Sequence, residues 1–169
     1  MKKLVIGIVK EEDMEPVFIT INDQDKDFDN IVEIVSPEAG EISMITMNEI
    51  EVGNNLVVTT DAKSSISPSG YNMSIHIFPL FGTLVFTEFG INNEGEIVTT
   101  SMSPENQETL KDYVSISKRE EKENGGRQAI IDRINEVGKD RYLRELDERY
   151  ADLFGNEIEK DYESEKKDE

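Results

Sequence analysis

The sequence contains no cysteine. Disulfides, thiolate nucleophiles and cysteine-ligated zinc are excluded, and the composition fits a reducing compartment. Histidine occurs once, as His76, inside the strand-like run Ser74-Ile75-His76-Ile77-Phe78. Metal and triad chemistry would need partners that the sequence does not place beside it, so it reads as structural. Cations are scarce: 18 Lys and Arg stand against 37 Asp and Glu, a net charge of −19. Residues 1–118 hold 7 of the cations and 20 of the acids. A direct nucleic-acid binder needs a basic patch, and none is visible. An anionic membrane would repel such a chain as well.

Long apolar runs are missing too, so no membrane span is expected. The start, Met-Lys-Lys followed by Leu4–Val9, has the outline of a signal peptide. Its apolar run is short and contains Gly7, the acids Glu11, Glu12 and Asp13 follow, and no small-residue cleavage site appears. It reads as a first strand. No P-loop, G-x-G-x-x-G or G-x-S-x-G pattern occurs. The expectation is a non-enzymatic protein without cofactor or metal.

What is present is an α+β pattern. Leu4–Val9 and Pro16–Ile21 are rich in β-branched residues and form a plausible hairpin. Phe28, Ile31, Val32 and Val35 repeat with helical spacing, and Pro37 and Gly40 end that helix. Glu41–Met47 alternates as a strand. Gly53-Asn54-Asn55 is a turn signal between Val52 and Leu56. Residues 61–72 read as a small-residue loop. Ser74–Phe78, Thr83–Phe89 and Glu96–Thr100 are β-prone, with a turn at Asn92–Gly95. Ser103-Pro104-Glu105 is a helix start: Ser as N-cap, Pro at N1 and an acid in the first turn. Leu110, Tyr113 and Val114 give that helix one apolar stripe.

The fold expected is a small mixed or antiparallel sheet with one or two packed helices, spanning 1–117. A charged, glycine-ended hinge occupies 118–126 (Lys-Arg-Glu-Glu-Lys-Glu-Asn-Gly-Gly). An amphipathic helix covers 127–154, with Gly138 a candidate interruption. Asp140/Arg144 and Glu145/Arg149 are spaced as i,i+4 ion pairs. The acidic tail, 155–169, is expected to be disordered.

The most distinctive segment is an acidic ladder, Asp23, Asp25, Asp27 and Asp29, with Glu33 beyond it. If extended, these side chains share one face at about 6.7 Å spacing, twice the strand rise. Such a row imitates the phosphates of a nucleic-acid strand. The plainer reading is a solvated helix start, where the helix dipole favours acids. An EF-hand loop is the third reading, with Asp23, Asp25, Asp27 and Asp29 at ligand positions. It fails at Phe28, where glycine is needed, and at Ile34, where the bidentate glutamate belongs. Ser64, Ser65, Ser67 and Ser69 sit in the 61–72 loop and read as flexible chain. The amphipathic helix could pack on the domain, pair with a second copy or dock in a groove.

The order of elements then has a precedent. It runs through an extended pair, a short helix and a strand ending near Met47. The Gly53-Asn54-Asn55 hairpin, Phe81-Gly82-Thr83-Leu84-Val85-Phe86, Asn93-Glu94-Gly95-Glu96 and the Ser-Pro-Glu-Asn-Gln helix start follow. Across about residues 14–115 this resembles a family of small uncharacterised domains carried by phages and conjugative elements of Gram-positive bacteria. The resemblance implies no catalytic residues. It implies a mobile-element protein of the bacterial host cytoplasm, acting on host or rival machinery.

The leading functional expectation is an acidic inhibitor that binds a basic surface on a host defence or nucleic-acid-handling protein. Asp23, Asp25, Asp27, Asp29 and Glu33 are its candidate contacts. One alternative is a structural or assembly protein that forms homo-oligomers through 127–154. The other is a small-molecule binder that sequesters a nucleotide signal beneath the 61–82 loop, which a pocket holding Lys63 and Lys111 would favour.

Overall fold

A computed structural model of the protein describes residues 2–23, 47–61, 70–75 and 78–150. The helix expected from the Phe28–Val35 periodicity, most of the Glu41–Met47 strand and the 155–169 tail lie outside the described residues. The fold is α+β. Its strands are β1 (Lys2–Val9), β2 (Val17–Asp23), β3 (Met47–Gly53), β4 (Leu56–Asp61), β5 (Tyr71–Ile75), β6 (Phe78–Phe81), β7 (Leu84–Ile91) and β8 (Ile97–Thr100). Three helices follow: α1 (Pro104–Glu123), α2 (Gly126–Val137) and α3 (Lys139–Tyr150). No helix among the described residues is long and apolar enough to cross a membrane.

The main sheet is antiparallel, ordered β2-β1-β7-β4-β3, with β8 added to the far half of β7. The β1–β2 hairpin pairs Leu4 with Ile21 and Ile6 with Ile19. The β3–β4 turn places Asn54 and Asn55 at positive φ, 54° and 62°. Two consecutive left-handed residues match the twist of the flanking strands, and asparagine tolerates that region better than most residues. β5 and β6 form a separate two-stranded ribbon.

Alternation along the strands produces two faces. One gathers Val5, Val9, Phe18, Leu56, Val58, Leu84 and Phe86 into a core completed by Met73, Ile75, Leu80, Met102, Leu110 and Val114. Helix α1 and the β5–β6 ribbon supply that second layer. Gly7 lies on the same face, and a Cβ there would stand 2.9 Å from Leu110 Cδ2. The missing side chain lets α1 approach β1. The other face holds Ile6 and Val85, fully buried, with Ile8, Ile19 and Ile21 beside them.

Ser103 begins α1 in an extended conformation, and its hydroxyl accepts from the Asn106 N–H. The helix does not stop at the charged run. Lys, Arg and Glu are good helix formers, so α1 absorbs 118–123 and the break narrows to Asn124 and Gly125. Gly125 takes φ 76°, and the Asn124 side chain accepts the Gly126 N–H of the next helix.

The chain divides into two units, Met1–Arg127 and Gln128–Glu169. In the second, the helix expected over 127–154 is two helices. Gly138, at φ 87°, accepts this role because its N–H closes on the Ile134 carbonyl while its own carbonyl starts α3 through the Tyr142 N–H. Glu145 pairs with Arg133 at 2.7 Å and Arg141 at 3.6 Å. The turn at Gly138 brings Arg133 back onto Glu145, Arg141 pairs with it from one turn before, and Arg149 still adds its pull on the carboxylate.

Candidate partner-binding surface

The sequence singled out five acids. Asp23 is the last residue of β2, with Lys2 its partner position across the hairpin. Asp25, Asp27, Asp29 and Glu33 lie outside the described residues, as do His76, the four loop serines and Lys63. Lys111 sits half-buried on α1.

The structure adds what the sequence did not reveal, namely where the cations go. Lys118 lies on the Leu110–Val114 stripe of α1 and is buried, 3% exposed. Its Nζ donates to the carbonyls of Lys10 at 3.0 Å and Glu11 at 3.2 Å, in the β1–β2 turn. Burial, and then the nearby Arg127, draw its ammonium down to about 8, against the pull of Asp13, Glu121 and Glu11. Arg127 stands over the Tyr71 ring, 5.2 Å from the centroid. Its guanidinium donates to the carbonyls of Tyr71, at 3.2 Å, and Asn72. Glu121 completes the group by accepting from the Tyr71 hydroxyl at 2.9 Å and the Ser74 N–H at 3.0 Å. Burial, and to a lesser degree Glu121, push the Tyr71 hydroxyl well above its ordinary value, opposed by Ser74 and Arg127.

Beneath this group the Asn72 side chain is fully buried. Its Nδ2 donates to the carbonyls of Val9 and Gly82, joining β5 to the main sheet. Two of the unit's few cations are thus used as internal pins. In the second unit Arg133 is held by Glu136 and Glu145. Lys118 and Arg127 therefore spend their donors on backbone carbonyls, and Arg133 on two carboxylates.

The consequence is sharpest on β7, β8 and the first turns of α1. No Lys or Arg occurs between Lys63 and Lys111. Glu94, Glu96, Glu105 and Glu108 are exposed there. Glu88 is engaged instead, accepting from the Ser103 hydroxyl at 3.2 Å and from the Asn106 and Thr100 side chains. That Ser–Glu pair has the outline of a nucleophile beside a base. The Ser103 oxygen is committed to capping Asn106, which makes the pair a helix-start device. The cation-free stretch is readable in the sequence, though less regular than the Asp23–Asp29 ladder.

Among the described residues, no three His, Asp or Glu side chains gather in a group that could hold a metal ion. Comparison with known proteins returned no matching family model, no matching curated protein and no matching solved structure.

Proposed function

We propose that this protein is a non-enzymatic, acidic binding protein that occupies a basic surface on a host protein. The favoured target class is a defence or nucleic-acid-handling protein whose groove normally takes phosphates. One observation carries the reading. The net charge is −19, and two of the first unit's few cations, Lys118 and Arg127, are held by backbone carbonyls of the fold. Such a surface steers basic partners toward it and repels nucleic acid and anionic lipid. The resemblance of residues 14–115 to domains of Gram-positive mobile elements supplies the setting, a bacterial cytoplasm with host machinery to block.

The test is a pull-down from lysate of a Gram-positive host at low and high salt, followed by competition with duplex DNA. The expected result is one nucleic-acid-handling protein, released by salt and displaced by DNA. Retention that ignores both would sink the reading. Replacing Asp23, Asp25, Asp27 and Asp29 together by Asn separates the ladder's share: unaltered binding would move the contact to the β7–β8 surface.

A further inference from the structure

Ile91 and Ile97 face each other across the end of the β7–β8 hairpin, and each is 75% exposed. They are the most exposed large apolar side chains among the described residues. Phe89, half-buried, follows on the same face. Among the described residues the backbone beside them also lacks a second strand. The Asn92 N–H bonds the Glu96 carbonyl, so in the antiparallel alternation Val98 and Thr100 turn their polar groups toward β7. Ile97 and Thr99 turn theirs outward.

Among the described residues that outer edge is met at its inner end. There the Met102 N–H donates to the Val5 carbonyl at 3.0 Å, and the Ser101 hydroxyl accepts the Val5 N–H. Ahead of this junction β1 stays with β2 and β8 stays with β7. Among the described residues β8 has no second strand partner. Proteins usually blunt such an edge with lysine, proline or a bulge. β8 has none of these: it reads Ile-Val-Thr-Thr, in unbroken register with β7.

We propose that the outer edge of β8 accepts an extended, basic segment of the partner protein as an added strand. This rests on the proposed acidic-binding role and names the surface and the chemistry of the partner. The added strand would bond the Ile97 and Thr99 backbone and lay its apolar side chains against Ile91 and Ile97. Its basic side chains would meet Glu94 and Glu96, which flank the pair with no cation in the surrounding stretch. Lys3 lies on the face of Val5 and Val9, away from Ile91 and Ile97. A second copy is the wrong occupant, because pairing two β8 edges sets these glutamates against their own kind between two chains of charge −19.

The probe is a synthetic alternating Lys–Val octapeptide, titrated into the full chain at low salt and followed by amide NMR. Controls are the same peptide N-methylated along one edge and a scrambled Lys–Gly–Ser peptide of equal charge. The expected result is perturbation and exchange protection centred on Ile97 and Thr99. Affinity should fall at least about tenfold with the N-methylated peptide and in Ile97→Lys, which removes the apolar contact and adds edge charge. Because Ile97 is exposed, that variant should keep the wild-type circular dichroism. Equal binding by all three peptides, spread over other acids, overturns strand addition while leaving the acidic-binding role intact. Absence of any binding at low salt overturns both. Peptide-free self-association that protects the same amides assigns the edge to a second copy and overturns the proposal.

Discussion

The Nζ of Lys118 lies 3.0 Å from the carbonyl oxygen of Lys10, and the bond joins residues 108 positions apart in the chain. It fastens the middle of α1 to the turn between β1 and β2. The carbonyls of Lys10 and Glu11 both accept from this ammonium, and the aliphatic stem follows Val114 along the buried stripe of α1. Lys118→Met keeps most of the stem and removes the donor. The Lys10 carbonyl keeps the Asp13 N–H and the Glu11 carbonyl keeps Arg127 Nη2, so the cost should be about 1.5–3 kcal/mol, the usual worth of hydrogen bonds from a charged donor. The check is urea unfolding, with a lower midpoint and an unchanged slope.

The same lysine gives a pH signature. Its folded-state value of about 8 lies below the ordinary 10.5. Between those limits the unfolded chain holds the proton that the folded chain has released, so this group's contribution to stability rises with pH. Below about 8 both states are charged and the contribution is flat. The groups facing the amine are Arg127, Asp13, Glu121 and Glu11. The stability of wild type relative to Lys118→Met should therefore improve from pH 8 toward pH 10. A difference that stays constant over that range would mean that the buried amine keeps its proton.

Arg127→Lys tests whether geometry or charge holds β5. The planar guanidinium covers Tyr71 while two of its nitrogens reach the Tyr71 and Asn72 carbonyls, a fork that the single nitrogen of lysine does not offer. Charge is conserved, yet the variant should lose about 1–2 kcal/mol through the lost bonds and stacking. Near-ultraviolet circular dichroism should also change, since Tyr71 loses its cover. Wild-type stability in the lysine variant would reduce Arg127 to a point charge.

How legible this was in the sequence depends on distance along the chain. The Ser103-Pro104-Glu105 start and the Gly53-Asn54-Asn55 turn were readable because caps and turns are decided by neighbours. The β1–β2 hairpin was readable from its β-branched runs. Tyr71 and Asn72 were not. They adjoin a serine-rich stretch and resemble loop residues until Arg127 and Glu121, some fifty positions away, arrive to hold them. Lys118 reads with its charged neighbours in the sequence, although it follows Leu110 and Val114 at four-residue spacing. That spacing was the available signal, and the expectation that lysine faces water overrode it. The acidity behind the proposed partner surface is legible as net charge, and the hairpin edge needs the strand pairing.

The Tyr71 hydroxyl and the Glu121 carboxylate should act as a coupled pair. Each alone retains a partner, Ser74 in both cases. Tyr71→Phe and Glu121→Gln are conservative in volume and remove one side of the bond at a time. A double-mutant cycle should give a coupling of about 0.5–3 kcal/mol, as for groups within one buried network. Additive losses would show that the pair is held by its surroundings and adds little itself.

Gly7 carries the last prediction because its role is purely spatial. Its φ needs no glycine; the space around it does. A Cβ would meet Leu110 Cδ2 at 2.9 Å and the Phe18 ring at 3.3 Å. Gly7→Ala should force α1 away from β1 and cost about 1–3 kcal/mol, the range for overpacking a filled core. The displaced atom is one methyl group, so the damage should be repairable from the other side. Leu110→Val alone costs about 1 kcal/mol through lost packing. In that background Gly7→Ala should cost clearly less than in the wild type, because the colliding atom is gone. Equal cost in both backgrounds would mean that Phe18 or the strand backbone sets the limit. The approach of helix to sheet at this point would then be governed from within the β1–β2 hairpin.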